Sequence, residues 1–182
     1  MAALLKLSEG IPSAIPLTVG ILATLLFLAS YQQKKRKGII LFNTVSRILY
    51  ILQYCMIGAF SGAALDVMGA LSSVAAGKKE SIPFAAKHRF AAMAAIDVAI
   101  VAVGLLLYEN LFSLFPIVGV LLHTSAFWIE DERIIRRVSL LGSPFWLVYN
   151  LSCHAWGSAA GDVLTMLSIL LAMLRYRQKS EL

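Results

Sequence analysis

Residues 59–72 (AFSGAALDVMGALS) return as residues 155–168 (AWGSAAGDVLTMLS) with seven of fourteen positions identical, Asp66 falling on Asp162, Val67 on Val163 and Ser72 on Ser168. The offset is 96 there, and upstream an offset of 100 lays Pro16 on Pro116, Leu22 on Leu122, Thr24 on Thr124, Phe27 on Phe127 and Arg36-Lys37 on Arg136-Arg137. One four-residue length difference in the basic loop reconciles the two offsets. Two copies of an apolar block fold as two similar bundles, and in a membrane the seam between such bundles is where transporters hold a solute.

With 59% hydrophobic residues, 14% charged residues and a mean hydropathy of +0.80, the chain is too apolar for a water-soluble domain of 182 residues. The class expected is integral membrane and all-α. A pI near 9.5 raises nucleic acid as a partner, but the basic residues lie in short clusters between apolar segments rather than along one amphipathic face. The lipid bilayer is the partner expected, and nucleic acid is not.

Seven apolar stretches, near 11–31, 39–60, 61–77, 91–108, 112–129, 138–155 and 157–174, approach the roughly 20 residues that span a bilayer. Basic clusters follow every second one: Lys34, Lys35, Arg36 and Lys37; Lys78, Lys79, Lys87 and Arg89; Arg133, Arg136 and Arg137; and Arg175, Arg177 and Lys179. Only Lys6 falls on the opposite side, and only Arg47 inside a span. The positive-inside rule then predicts a multi-pass protein of the bacterial inner membrane, N-terminus outside and C-terminus cytoplasmic. The first segment carries Pro12 and Pro16 and runs straight into the basic cluster, so it is expected to stay rather than be cleaved as a signal peptide. Cys55 and Cys153 miss repeat-equivalence by two residues and read as packed free thiols in preference to a disulfide.

The predicted architecture is three helices, one linker helix and three helices: residues 1–90 with the basic loop, 91–111 as linker and 112–182 with the basic tail. Because four crossings precede the second triplet, the copies enter the membrane from the same side and relate by an axis along its normal. A single such chain suffices for the architecture, and homo-oligomers stay open.

In helix two Asn43, Ser46, Arg47, Tyr50, Gln53 and Tyr54 follow steps of three and four, which is one stripe of a helix. In helix six Ser139, Ser143, Trp146, Tyr149, Asn150 and Cys153 form the equivalent stripe. Two readings stand: glue between packed helices, and the lining of a path for a small polar solute. Glue explains the Ser, Ala and Gly content; it explains intramembrane charge less well, since each such charge costs about 2.5–3.5 kcal/mol even on insertion scales.

Counting six residues from each tight turn, near Phe60 and Trp156, reaches Tyr54 and Asp66 in one copy and Asn150 and Asp162 in the other. With Gln53 and Tyr149 they form one expected polar layer. Two aspartates in one low-dielectric layer do not both ionise easily, so such a layer can share or exchange a proton. The competing role for each aspartate is to cap the start of its own helix. Arg47, aligned with Ser143, breaks the symmetry, either binding an anionic group or pairing with a carboxylate or free carbonyls. Asp97 has no repeat partner and is expected to bond a neighbouring helix. Pro16, Pro116 and Pro144 are candidate hinges, since proline removes a backbone bond and kinks a helix; the alternative is that proline is simply common in static membrane helices, with Pro12 and Pro16 close enough to the helix start to be harmless. Trp128 and Trp156 are expected at the interfaces, Trp146 in the core or stacked on a solute ring, and His123 as a hydrogen-bonded packing residue.

No phosphate loop, dinucleotide fingerprint, metal-binding cluster or hydrolase motif occurs, so neither cofactor nor metal is expected. Gly142-Ser143-Pro144 suggests an intramembrane serine nucleophile, but helix seven carries no histidine to serve as its base. An enzyme is not expected.

The segments ILYILQYCMIGAFSGAALDVMGALSSV (48–74), FSLFPIVGVLLHTSAFW (112–128) and SLLGSPFWLVYNLSCHAWGSAAGDVLTMLSILLAMLRYR (139–177) resemble the YgjV family of bacterial inner-membrane proteins over nearly the whole chain. That resemblance implies membrane location and no particular activity. A more distant resemblance, to SWEET and PQ-loop transporters, rests on the three-one-three layout and on polar residues in helices three and seven. It implies a solute between the triplets, an asparagine pair on helices three and seven, and a proline on each hinge helix. Here those polar residues are Asp66 and Asp162, and helix two has Ile48 where helix six has Pro144, departures that point away from a sugar. The leading expectation is a small-solute transporter or facilitator; its rival is a non-transporting membrane protein that binds a partner or organises lipid.

Overall fold

The computed structural model describes residues 11–178, with side chains through 175. Lys6 and Lys179 lie outside the described residues, as does the side chain of Arg177. The described chain is 85% helix with no strand. Its helices are α1 (Ala14–Tyr31), α2 (Arg36–Met56), α3 (Phe60–Gly77), α4 (Pro83–Lys87), α5 (Arg89–Leu106), α6 (Leu114–Phe127), α7 (Glu132–Ser152) and α8 (Trp156–Gln178).

Among the described residues eight helices stand where seven were expected, because the basic loop after α3 contains the five-residue α4. Pro83 opens it, and proline's fixed φ suits a first helical position. Five helices, α1, α2, α3, α5 and α8, are long and apolar enough to cross a membrane. α6 is apolar but has 14 residues. α7 has 21 residues but begins six earlier than expected, taking in Glu132, Arg133, Arg136 and Arg137, which dilute its hydropathy. Its start is fixed by Asp131, whose carboxylate accepts from the backbone N–H of Arg133 (2.7 Å) and Ile134 (3.4 Å).

By contact, α1, α2, α3, α6, α7 and α8 close a ring, with α8 returning to α1. α5 packs outside it against α3 and α6, and only 11% of its apolar window is buried. Large apolar side chains such as Leu25, Leu71, Leu141 and Leu171 point outward, as they do where lipid is the solvent.

The duplication is legible bond for bond at the two tight turns. Ile57 N–H donates to Gln53 O, Ala59 N–H to Tyr54 O and Phe60 N–H to Gly58 O; 96 residues on, Cys153 donates to Tyr149 O, Ala155 to Asn150 O and Trp156 to His154 O. Both turns need a left-handed residue, Gly58 at φ 75° and His154 at φ 59°. Glycine takes that conformation freely, whereas histidine does so at a cost.

At the opposite, basic end the copies exchange arginines. Arg36 Nε donates to the carbonyls of Phe127 (3.0 Å) and Ile129 (3.0 Å). Arg136 Nε donates to Tyr31 O (3.3 Å) and its Nη2 to Gln33 O (2.8 Å), the carbonyls 96 residues earlier. Each guanidinium therefore caps the C-terminal end of the other copy's first helix, where unpaired carbonyls favour cations. Residues that read from sequence as topology markers also tie the bundle shut.

Two further expectations change. Pro16 and Pro116 are the third residues of α1 and α6, within the first turn, where a missing N–H breaks no helical bond. Pro144 alone is interior to a helix. Trp128 is not an interface anchor but is buried, 5% exposed, whereas Trp156 is 61% exposed.

Candidate functional site

The sequence-predicted residues converge where α2, α3, α7 and α8 meet inside the ring. Arg47 is 2% exposed. Its Nη1 donates to Asp66 Oδ1 at 2.5 Å and its Nε to Asn43 Oδ1 at 3.0 Å, one helical turn back on α2. The pair fits because position 69 is glycine: a Cβ there would overlap Arg47 Nη1 and stand 2.9 Å from Arg47 Cζ. The repeat-equivalent positions hold Ser143 for Arg47 and Thr165 for Gly69, so the second copy has neither the cation nor the space for it.

Asp162 is therefore paired differently. Asn150 Nδ2 donates to Asp162 Oδ2 at 2.7 Å, and Asn150 Oδ1 accepts from the Tyr54 hydroxyl at 2.7 Å. Tyr54 and Asn150 are equivalent under the 96-residue offset, and a residue that touches its own counterpart lies on the axis relating the copies. The bond thus marks that axis. Neither aspartate caps its helix; each sits in the seventh position and bonds to a side chain of the adjacent helix.

Asp66, Asp162, Arg47, Asn150, Tyr54 and Trp146 line one internal cavity of about 20 Å³. Phe27, Tyr50 and His123 complete it. A space of that size admits about one water-sized occupant. Trp146 stacks on Tyr54, ring centroids 6.2 Å apart, and its indole occupies the space that Gly119 leaves open on α6. Tyr50 hydroxyl bonds Thr24 Oγ1 at 3.0 Å, and His123 Nε2 bonds Ser139 O at 2.8 Å as a packing residue.

Gln53 and Tyr149, expected in the same layer, instead close the seam between the cavity and the tight turns. Gln53 Oε1 accepts from Ser158 Oγ at 2.6 Å. Tyr149 hydroxyl bonds Ser61 Oγ at 2.9 Å and accepts from the N–H of Gly62 at 2.9 Å. Under the offset, Gln53 with Ser158 becomes Tyr149 with Gly62, so this closure is reciprocal too. Of the proposed hinges, Pro144 lies two residues before the cavity-lining Trp146 on α7, and Pro16 and Pro116 do not line the cavity. Asp97 stays apart from the site and accepts from Ser125 Oγ at 3.1 and 3.3 Å. Cys55 and Cys153 are free thiols. Among the described residues no His, Cys, Asp and Glu cluster has the makings of a metal site.

Phe27 is the lining residue that sequence reasoning passed over as a site member, although its match to Phe127 marked it as part of the repeat. His123 was read as packing alone, and it both packs and lines the cavity.

The family model for Imp-YgjV, bacterial inner membrane protein, matches residues 14–180, the whole of the ring and the cavity within it. The chain belongs to the Imp-YgjV family. No curated protein and no solved structure matches it. Neither comparison supports the resemblance of this Imp-YgjV chain to SWEET transporters.

Proposed function

We propose that this chain is a small-solute transporter or facilitator of the bacterial inner membrane, with its N-terminus outside and its C-terminus cytoplasmic. The solute would be held between two parallel three-helix repeats joined by α5. The observation that carries the reading is a cavity at the seam of a duplicated bundle, lined by two buried aspartates and one buried arginine. Intramembrane charges are costly and mark solute or ion paths by default. What supports the three-one-three layout is the closed ring with α5 outside it, and the backbone bonds that repeat at an offset of 96.

The charges also narrow the solute. Arg47 offsets Asp66, while Asp162 has a neutral partner, so an ionised layer is one positive charge short. The reading is therefore of a solute that carries a cationic group or travels with a proton. The reciprocal seam contacts on one side and the exchanged arginines on the other make this the occluded conformation; a larger solute enters when one closure opens, with Pro144 as the point of flexure. The chemistry proposed is binding and release; the Ser143 hydroxyl, the serine that suggested a nucleophile, donates to Ser139 O at 3.0 Å.

One observation favours the rival, a membrane protein that binds a partner or organises lipid: the cavity as it stands is only about 20 Å³. Thermal unfolding of the purified protein against amines, amino acids, carboxylates, sugars and nucleosides separates the two, because a ligand of the folded state raises stability by mass action. Transport predicts a cationic or zwitterionic hit that disappears in Asp66→Asn/Asp162→Asn. No hit, together with no solute- or proton-driven flux in liposomes, sinks it.

A further inference from the structure

The basic end of the bundle carries a second feature, independent of the central cavity. After α3 the chain makes a short turn, then α4, then enters α5 at Arg89, and this stretch bounds a cavity of about 500 Å³ lined by Lys79, Lys87, His88 and Arg89, with Glu80 as its acidic member. Beside it a groove of about 460 Å³ runs between α5, α6 and α7, lined mostly by apolar side chains, among them Phe90, Met93, Ile129 and Val138, with Glu130 and Asp131 as its acidic members. The two share Arg89 and Phe90, so a cationic pocket opens directly into an apolar groove.

The side chains at the junction suit an amphiphile. Arg89 is half exposed, lies 4.9 Å over the Phe90 ring and stands 3.8 Å from Glu130 Oε1. Lys79 holds that same oxygen more closely, at 2.9 Å, which leaves the Arg89 guanidinium with donors to spare for an incoming anion. Ile82, Phe84 and Phe90 are exposed around the pocket at 38%, 58% and 68%, with the Phe84 ring against that of His88. Aromatic rings beside cationic side chains are the residues of a membrane–water interface.

We propose that this junction is a binding site for one anionic phospholipid, its phosphate held by Lys87 and Arg89 and one acyl chain laid in the groove along α5. The occupant follows from charge and shape together. Basic residues clustered at the end of a membrane helix attract anionic head groups, and the groove gives the chain of a lipid, which a free phosphate lacks, its contact. Because α5 packs on both α3 and α6, a lipid seated there braces the two repeats against each other.

The test is native mass spectrometry of the full chain in neutral detergent, offered equimolar phosphatidylglycerol and phosphatidylcholine of the same acyl chains. The site predicts one retained phosphatidylglycerol. The preference should fall about thirtyfold in Lys87→Gln/Arg89→Gln, from the electrostatic worth of two basic residues at a lipid surface. It should be unchanged in Lys34→Gln/Lys37→Gln, which removes two exposed charges elsewhere on the same face. Equal retention of both lipids, or equal loss in both variants, overturns the site in favour of diffuse attraction. Displacement by millimolar glycerol phosphate also overturns it, in favour of a soluble phosphate ligand. None of these outcomes depends on transport.

Discussion

Replacing Gly69 by alanine tests the central charge pair without touching a charged residue. An alanine Cβ would overlap Arg47 Nη1 and stand 2.9 Å from both Arg47 Cζ and Val120 Cγ2. Moving the guanidinium away parts the bonds that hold it, Nε on Asn43 and Nη1 on Asp66. Parting a buried pair costs about 3–5 kcal/mol, and alanine's better helix propensity returns about 1 kcal/mol. The expected net loss is about 2–4 kcal/mol, read as a lower melting temperature in detergent or as reversible unfolding in mixed micelles. A double-mutant cycle makes the cause specific. In an Arg47→Ser/Asp66→Asn background the obstructing group and its carboxylate partner are gone, only Val120 must yield, and Gly69→Ala should be neutral within about 1 kcal/mol. If Gly69→Ala costs the same in both backgrounds, the glycine does not serve the arginine and the reasoning is wrong.

Tyr54→Phe removes the hydroxyl on the repeat axis and leaves Asn150 Oδ1 a buried unpaired acceptor, so thermal unfolding should register a loss of about 1–3 kcal/mol. His154→Gly should stabilise by about 1 kcal/mol by relieving a left-handed histidine, while Gly58→Ala at the equivalent turn should destabilise by about as much; opposite signs in a melting comparison are the check. The hydrogen bond from Lys79 holds the Glu130 carboxyl below its ordinary 4.5. A depressed folded value means the stabilisation is present above the unfolded value and lost as pH falls through the lower folded one. Glu130→Gln should therefore flatten the fall in melting temperature below about pH 4.5, and an unchanged acid limb counts against the Lys79 bond. Ser143→Arg/Thr165→Gly writes the first copy's arginine and glycine into the second, and should abolish stabilisation by any cationic ligand while leaving the fold intact; persistence of the ligand shift would refute the charge accounting.

The helical class and the duplication were legible because both are carried by local pattern: apolar runs, and like residues at one offset. The candidate site was legible to the extent that charge inside a membrane is conspicuous, which singled out Asp66, Asp162 and Arg47. What pairs with what was not. The partner of Arg47 depends on the helix crossing of α2 and α3 and on a missing methyl at position 69, and neither has a periodicity. A signal did exist: wherever the copies depart from one another at Arg47 and Ser143, they depart again at Gly69 and Thr165. The arginine exchange was hidden for a different reason. Arg36 and Arg136 lie in clusters that the positive-inside rule already explains, and side-chain hydrogen bonds to carbonyls of the other copy depend on the closed ring. Pro116 misled because the true first residue of α6 puts it in a first turn, where proline is tolerated, whereas Pro16 stands where its alternative reading places it, near the start of α1.

The two copies share a backbone and differ in charge, and that difference sets what the axis can do. Two arginines would neutralise both aspartates and leave a layer of ion pairs, stable and without demand for an occupant. No arginine would leave two carboxylates repelling each other across Tyr54 and Asn150. One arginine neutralises one aspartate and leaves the other on a neutral amide. On the transport proposal, a single positive charge, arriving as a proton or on a solute, completes the layer, and its departure reopens the demand. That exchange needs Asp162 to trade partners while Asp66 stays fixed, which is the arrangement the Gly69 cradle enforces: the space that admits Arg47 beside Asp66 has no counterpart at Thr165. The two copies present equivalent faces, and the paired difference at Arg47/Ser143 and Gly69/Thr165 gives one aspartate a charged partner and the other a neutral one, the asymmetry on which the proposed exchange rests.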